Sequence, residues 1–488
     1  MKPFFISLLI TIGLGLYCAV KPTNVYCAEQ EPIELSVSEA VKMALKNNLN
    51  LKLRLEDVVV AEGSAQEAEA PFDALISADI GATENKSTPV TIESIQKERT
   101  SAWNASVLKR FTPGTEVDLS WRNGNLDTDS NFYLFDPVYN TGVRVGVTQP
   151  LLKGLGQEVQ LAELEAAKKQ LAAQSFLVDN EAANLAAQVK SAYWELVFAH
   201  QNLDVLKLAL TLAEKLRNDT EAKISAGKLA SIDIYQPESE VARREEELIS
   251  GERAIGFAED NLKLLLNSQD WLTPYKTTDV PETKPINPQI GVILQNALAN
   301  RPDIKAAALQ IQASEYRAMK AKDNTLPALD LFGAVGFGGT ADSYGNALDS
   351  SLNDAETQWQ IGLSFSRPFN NSLAQGQYLQ ANASLNKNRT SLELLKQDVR
   401  RTVRVTVRDV ELALKAIDAT NKTAIATQKR LEAEQIKFDA GRSTTLDVLI
   451  AQQDYSNALS AENRTKVIYA QTLAELDRIQ GIIKIADH

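Results

Sequence analysis

The sequence predicts an α+β membrane protein in which long coiled-coil helices are joined to short amphipathic strands. Three observations support this class: seven-residue apolar repeats, period-two segments beside them, and an internal duplication that contains both. The 488 residues carry a net charge of −12, which argues against a nucleic-acid partner. Because the chain has only two Cys and two His, we expect no disulfide scaffold, metal or cofactor.

Residues 1–28 have the pattern of an export signal peptide. Lys2 precedes a mostly apolar run, and Ala28 provides a small residue for cleavage before an acidic segment. A single membrane anchor is one alternative, although the run is short for a span. A lipoprotein acylated at Cys18 or Cys27 is another, although a bulky Tyr precedes each Cys. Beyond this region no long apolar run remains, so we expect no transmembrane helix in the mature chain.

Three pairs of similar segments recur in the same order, which predicts two homologous halves. Residues 29–266 are assigned to the first half and residues 289–488 to the second, each in the order helix, strands, long helix, tip, helix. The intervening residues 267–288 contain four Pro, whose spacing forbids a regular helix and predicts an extended linker. The pairs begin at Ala44 and Ala297, at Thr148 and Ser366, and at Lys223 and Lys437.

The long helices carry a heptad period, which keeps one apolar seam against a neighbouring helix and predicts a coiled coil. No Pro interrupts residues 157–218 or 374–439. At 1.5 Å per residue each helix would extend about 90–100 Å, which exceeds a compact domain and indicates a tube, stalk or bridge. The seams pass through Leu164, Leu171, Val178 and Leu185 in the first half and through Val403, Val410, Ile417, Ala424, Leu431 and Phe438 in the second.

The segments between the helices alternate apolar and polar residues, as in residues 73–83 and 359–366. A half-buried strand of a soluble sandwich would show the same alternation. Lengths of about 8–11 residues, flanking aromatic residues and long polar loops such as 338–357 favour membrane strands instead. Two core strands in each half are too few to close a barrel, so a barrel requires several chains.

An additional pair of alternating segments, within residues 103–122, has no counterpart in the second half. The two segments flank Thr112, Pro113 and Gly114, which together signal a hairpin turn. This hairpin either projects from the barrel or adds two strands to it.

Taken together, these features resemble the TolC family of outer-membrane efflux proteins over residues 35–483. The resemblance rests on the ordered duplication, the Ala-Leu-x-Asn segments at Ala44 and Ala297, the Gln-Pro-Leu-Leu segment at Gln149, and the Ala-Gly-Lys/Arg tips. It implies a homotrimer in which each chain gives four strands to a shared twelve-stranded barrel in the outer membrane of a Gram-negative bacterium. The long helices would continue the barrel as a coiled-coil tunnel across the periplasm.

The resemblance also implies a function as a passive exit duct for an inner-membrane pump or a type I secretion system. A periplasmic adaptor protein would dock on the helix tips, whose candidate contacts are Gly227, Lys228, Gly441 and Arg442. The two glycines stand where a helix must reverse direction, and such a turn requires a residue that tolerates positive φ.

Asp233 and Asp447 follow the two tips, in the first turns of the next helices, where the helix dipole favours a carboxylate. Each Asp is either an ordinary N-terminal cap or part of an acidic ring that narrows the tunnel mouth and attracts cations. The resemblance supports the ring, with Asp447 favoured over Asp233. A second acidic position of the family is occupied here by Ile450, so an apolar constriction is the alternative.

Two rival functions are less consistent with the sequence. An enzyme is disfavoured because the Gly-rich segment at Lys153 is incomplete and His200 lies among apolar residues of a helix. An exported periplasmic coiled-coil scaffold or adaptor would explain the helices and the export signal. It would not explain aromatic-flanked strands that recur together with the duplication.

Overall fold

The computed structural model describes residues 32–88, 95, 97–130 and 133–481. The predicted export signal, residues 1–28, lies outside these residues. The first half begins with a short strand and two helices, continues through four long strands, and ends in a long helix and its returning partner. Its elements are β1 (Ile33–Leu35), α1 (Val37–Asn47), α2 (Leu49–Glu69), β2 (Ala74–Lys86), β3 (Lys97–Arg110), β4 (Glu116–Thr128), β5 (Val138–Pro150), α3 (Gln157–Gln160), α4 (Ala162–Ser225) and α5 (Tyr235–Leu266).

The second half follows the same order of two short helices, strands, a long helix and a returning helix. It is preceded by the connector strand β6 (Tyr275–Thr277), which pairs in parallel with β1. Its elements are α6 (Ile290–Asn300), α7 (Pro302–Asp323), β7 (Ala328–Ala341), α8 (Tyr344–Asn353), β8 (Glu356–Ser366), α9 (Ser372–Asp439) and α10 (Thr445–Ile479).

The chain bends between the two short helices of each half in the same way. Asn48 separates α1 from α2 at φ −58° and ψ 132°, and Arg301 separates α6 from α7 at φ −56° and ψ 126°. In the first half the Asn48 side chain caps α2 by accepting from the backbone amide of Asn50 at 2.9 Å. In the second half Pro302 occupies the first helical position, where its missing N–H costs no hydrogen bond.

The two long helices confirm the length that the heptad pattern predicts. With 64 residues in α4 and 68 in α9, each extends about 100 Å at the standard helical rise. The seam of α9 is buried at Val403, Val410, Leu431 and Phe438, which pack on neighbouring helices. None of the helices in the described part of the chain combines the length and hydropathy needed to cross a lipid bilayer.

Six strands form one antiparallel sheet in the order β2-β3-β4-β5-β7-β8. Of the two alternatives for the hairpin of residues 103–122, the structure shows the second: the hairpin adds two strands to the sheet and does not project from it. The chain therefore has six strands in this sheet, where the family resemblance implied four. β3 pairs with β2 at 13 positions, and β4 pairs with β5 at 11 positions. These pairings satisfy the backbone groups of the hairpin along most of its length.

The loop expected at residues 338–357 contains the end of β7 and the helix α8. The Ser343 side chain caps α8 by accepting from the amide of Asn346 at 3.4 Å. Ala347 is fully buried against β7. Gly339 permits this packing, since a Cβ at that position would lie 2.2 Å from the Ala347 carbonyl oxygen.

Two buried tyrosines attach the connector to the long helices. The Tyr193 hydroxyl of α4 accepts hydrogen bonds from the amides of Thr278 and Asp279, both at 3.1 Å, and lies 2.9 Å from the Leu35 carbonyl oxygen. The Tyr469 hydroxyl of α10 donates to the Lys284 carbonyl at 2.7 Å. Burial raises the pKa of both tyrosines, so both hydroxyls stay neutral at neutral pH.

We expect Tyr193→Phe to lower stability more than Tyr469→Phe does. The first change leaves two connector amides without their acceptor, which costs about 1–3 kcal/mol. The second removes the bond to the Lys284 carbonyl and a weaker contact with the Ile286 backbone, together worth about 1 kcal/mol. Thermal melting of the helical circular-dichroism signal of the detergent-solubilised protein measures both effects. Equal shifts of the two melting temperatures would contradict this assignment.

Candidate functional site at the helix turns

The two helix-reversing turns share one backbone geometry. Gly227 has φ +67° and Gly441 has φ +71°, as the sequence predicts. A Cβ at either glycine would meet no atom within 4 Å, so the left-handed conformation, and not crowding, favours glycine. In each turn the amide of the next residue donates to the carbonyl five residues earlier, at 2.9 and 2.8 Å. This is the hydrogen bond of a Schellman helix end.

The turns lie side by side because Lys223 joins them. Its ammonium group lies 3.3 Å from the centre of the Phe438 ring and donates to the Phe438 carbonyl at 2.6 Å. It also lies 3.4 Å from a carboxylate oxygen of Asp439. The four expected contact residues therefore belong to one exposed region, which we call the tip surface: Gly227, Lys228, Gly441 and Arg442.

Asp447 is a helix cap, as one of the two predicted alternatives proposed. Its carboxylate accepts from the Thr444 amide at 3.1 Å, and its own amide donates to the Thr444 hydroxyl at 3.2 Å. This reciprocal pair is a capping box at the start of α10. The Thr444 hydroxyl, followed by the Thr444 amide, holds the pKa of Asp447 below its ordinary value of 3.8, so the carboxylate is charged at neutral pH.

Asp233 makes the corresponding bond in a less regular setting. Its carboxylate accepts from the Ala230 amide at 3.0 Å. Residues Ser231–Ile234 form a 3₁₀ turn, and the helix α5 begins only at Tyr235, later than expected. Ala230 offers no side-chain acceptor to the first amides, in contrast to Thr444, which accounts for the delayed start.

Asp447 and Ile450 occupy the exposed side of α10 in the single chain. They stand three residues apart and therefore lie on one helix face, with 43% of Ile450 exposed. The opposite face of α10 is buried through Val448 and Ala451, which pack in a cluster with Leu216 of α4. The face that carries both predicted constriction residues is thus free to line a channel or contact another copy.

Sequence reasoning missed a second carboxylate beside Asp447. The Ser443 hydroxyl donates to Glu434 at 2.6 Å and lies 3.5 Å from Asp447. Hydrogen bonds from Ser443 and then Lys437 hold the pKa of Glu434 below its ordinary value, so both carboxylates are charged at neutral pH. Glu434 lies in α9 and reaches Asp447 only because the chain reverses at Gly441, which no local pattern reveals.

A polar cluster between α5 and α10 was also missed. The amide oxygen of Gln453 accepts from Arg244 at 2.6 Å and from Arg243 at 2.7 Å. Arg244 is buried, and Glu240 and Glu247 hold its guanidinium at 2.7 and 2.8 Å. We call the three residues Arg243, Arg244 and Gln453 the Gln453 tie. It fastens the returning helix of the second half to that of the first.

The two turns and the helices around them provide charged and polar surfaces. Among the described residues, no group of His, Cys, Asp and Glu side chains is arranged to hold a metal ion. The candidate site is therefore a pair of tied helix turns with clustered carboxylates on an exposed helix face.

Comparison with known proteins gives a consistent similarity. The family described as "Outer membrane efflux protein" matches residues 293–481. The outer membrane protein TolC of Escherichia coli is 28% identical over 191 residues, which cover 37% of this chain and 36% of TolC. The efflux protein BepC of Brucella suis is 23% identical over 65% of this chain and 67% of BepC. The outer-membrane channel OprN superposes with a TM-score of 0.70 over 91% of this chain and 89% of OprN, at 17% identity.

We expect acid to loosen the first turn of α10. Since the pKa of Asp447 is below 3.8 in the folded chain, its cap is complete above that value and is lost as the pH falls through the lowered value. Amide hydrogen exchange at residues 445–448, relative to the middle of α10, should stay constant between about pH 6 and about pH 4 and should accelerate as the pH falls further. Asp447→Asn is the control, and its first turn should show no such pH dependence.

Proposed function

Because residues 293–481 match the outer membrane efflux protein family and part of the chain is similar to TolC, we propose that this chain is an outer-membrane exit duct. It would serve a tripartite efflux pump or a type I secretion system, passing substrates passively from the periplasm to the exterior. The observation that carries the proposal is the combination of two helices of about 100 Å with one amphipathic sheet, in the fold shared with OprN. The match to this family also agrees with the expectation that the chain is not an enzyme.

The assembly in this proposal is a homotrimer embedded in outer-membrane lipid. In a single chain β2 and β8 are sheet edges, and both expose large apolar side chains. Ile80 is 87% exposed on β2, and Trp359 is 76% exposed on β8. Neighbouring copies would pair with the edges, and lipid would cover the apolar face. In a soluble periplasmic scaffold or adaptor, such an exposed apolar face would be in contact with water and would be unfavourable.

The periplasmic mouth of the duct is proposed to lie at the turns. Each chain would contribute Asp447 and Glu434 to a ring of negative charge, with Ile450 on the same face of α10 and Asp233 beside the first turn. Such a ring attracts cations and hinders anions. Asp447 also caps α10, and Glu434 also accepts a hydrogen bond from Ser443 of the turn. A helix cap and an acidic ring are therefore compatible roles for Asp447.

Opening requires the second-half helix pair, α9 and α10, to move away from the first-half pair. The contacts that resist this movement near the tips include the Gln453 tie, the Lys223 bridge to Phe438, and a small apolar cluster around Leu216. A periplasmic adaptor that docks on the tip surface and binds the displaced arrangement more tightly would shift the population toward the open duct. The energy for transport would come from an inner-membrane pump.

Removing the mouth carboxylates should reduce cation selectivity. Unit charges a few ångströms apart interact by about 1 kcal/mol in water, which corresponds to a change of roughly fivefold in the permeability ratio. We expect this loss for Asp447→Asn combined with Glu434→Gln, and a smaller loss for Asp233→Asn. Reversal potentials of the trimer in a planar bilayer under a salt gradient measure it.

The control for this experiment is Glu282→Gln, which removes an exposed carboxylate of the connector. It should leave the permeability ratio unchanged. If the double variant behaves like this control, the two carboxylates only brace the turn and the acidic ring is refuted.

The Gln453 tie gives an independent prediction about closure. Gln453→Ala removes the acceptor of two guanidinium groups, and hydrogen bonds to charged groups contribute about 1.5–3 kcal/mol, so the open fraction should rise by about tenfold or more. Gln453→Glu keeps an acceptor and adds charge, so it should hold the duct closed at least as well as the unchanged chain. Single-channel recording distinguishes the variants. Identical open fractions would show that the tie does not control the mouth.

A further inference from the structure

The hairpin of β3 and β4 crosses the full height of the sheet. β3 has 14 residues and β4 has 13, matching the 13 residues of β5 and the 14 of β7. Its turn is seated on the corner that precedes α3, where the Gly156 amide donates to the Pro113 carbonyl at 3.3 Å. Gly114, at φ +97°, fits there because a Cβ would lie 2.7 Å from the Gly154 carbonyl oxygen.

The two faces of the sheet continue through the hairpin, except near α8, where the polar residues Asn123 and Thr141 are buried on the apolar face and Asn123 contacts Tyr344. One row of directly paired residues is apolar on every strand: Ile76, Val107, Leu119, Val145, Val335 and Trp359. The adjacent row lies on the opposite face and contains no large apolar residue: Ser77, Ser106, Ser120, Arg144, Gly336 and Gln358. A one-residue slip at any strand would place apolar side chains on the polar face.

The hairpin is therefore indistinguishable in pattern from the strands that flank it. Val107 and Leu119 are 37% and 46% exposed, comparable with Val145 of β5 at 37%. A segment that projected into water would have no reason to keep an apolar face in register with its neighbours. Strands of 13 residues span about 43 Å, enough to cross the apolar core of a membrane at the usual tilt.

We propose that β3 and β4 are membrane-crossing strands whose apolar face contacts lipid acyl chains. Each chain then contributes six strands, and three copies close an eighteen-stranded barrel. This inference rests on the proposed function, and it departs from the twelve strands that the sequence resemblance implied. β2 and β8 run in opposite directions, so the seam between neighbouring copies is antiparallel like every pairing within the chain.

The added strands change the shape of the duct. Barrel diameter grows roughly linearly with strand number, so the outer part would be about half again as wide as a twelve-stranded barrel. The hairpin would also add polar groups to the lumen, where Asp118 lies 3.4 Å from Arg144 of β5. The narrow point of the duct would then lie at the helix turns, and the barrel would be a wide, water-filled outlet.

An environment-sensitive fluorophore attached to single cysteines tests whether the hairpin faces lipid. Cys18 and Cys27 are the only cysteines and are first replaced by Ser. The labelled trimer is reconstituted in vesicles containing lipids with nitroxides in their acyl chains. A probe at Val107 should be quenched as strongly as one at Ile361 of β8. A probe at the adjacent Ser106 should escape quenching, as should one at Gln360.

The outcomes separate this inference from the proposed function. Quenching at Ile361 but not at Val107 would overturn the six-stranded contribution and leave the outer-membrane duct intact. Absence of quenching at both positions would refute the membrane barrel and, with it, this inference.

A disulfide experiment gives a second test that does not depend on lipid. The hydroxyls of Ser77 and Ser106 lie 2.7 Å apart on paired strands, so Ser77→Cys with Ser106→Cys should cross-link within one chain. Ser77→Cys with Arg144→Cys spans three strand spacings and should not. Cross-linking of Ser77→Cys with Arg144→Cys, and not with Ser106→Cys, would mean that β2 adjoins β5. The hairpin of β3 and β4 would then lie outside the sheet.

Discussion

Unpaired backbone at the edges of the sheet is the constraint on which the rest of this structure depends. β2 and β8 each present a row of amide and carbonyl groups with no neighbouring strand on one side in the single chain. In a bilayer each unsatisfied group would cost several kcal/mol, so an open sheet of six strands cannot be a finished membrane structure. In the proposed trimer, pairing with further copies would remove these edges and would give the apolar face a continuous surface toward lipid.

The helical part of the chain is stabilised unevenly along its length. Two large apolar clusters, around Tyr193 in the first half and around Val403 in the second, join the short helices to the long ones. Near the turns the apolar cluster is smaller and is supplemented by the Lys223 bridge, the Gln453 tie and a hydrogen bond from Gln452 to the Leu212 carbonyl. Regions with fewer buried apolar contacts open at lower free-energy cost. In the proposed duct, the helices around the two large clusters would therefore stay rigid while the helix ends near the turns move.

The sequence predicted those features that depend on local pattern. Heptad spacing located the buried seam of α9, and glycine at a helix end located both turns, because positive φ restricts the residue type at Gly227 and Gly441. It did not decide the place of the hairpin, since strand alternation identifies a strand but not its neighbours. Glu434 and Gln453 were missed for the same reason: their contacts come from chain reversal and helix packing over long sequence separations.

For Asp447, the sequence pattern did not decide between a helix cap and an acidic ring. Its position in the first turn predicted a cap equally well as a ring, and the structure shows the cap directly through Thr444. Asp447 is exposed on the face of α10 opposite Val448 and Ala451, and an acidic ring requires this exposure. Whether Asp447 is exposed depends on which face of α10 packs against the other helices. Burial of the opposite face could not be deduced from residues 444–451 alone.

The mass of the intact particle tests the central claim, that one chain is an incomplete part of a membrane channel. Native mass spectrometry of the protein extracted from outer membranes should detect an assembly of three chains that stays in solution only with detergent. A single chain that remains folded and soluble in plain buffer would contradict the account, because both sheet edges and the apolar face would then be stable in water.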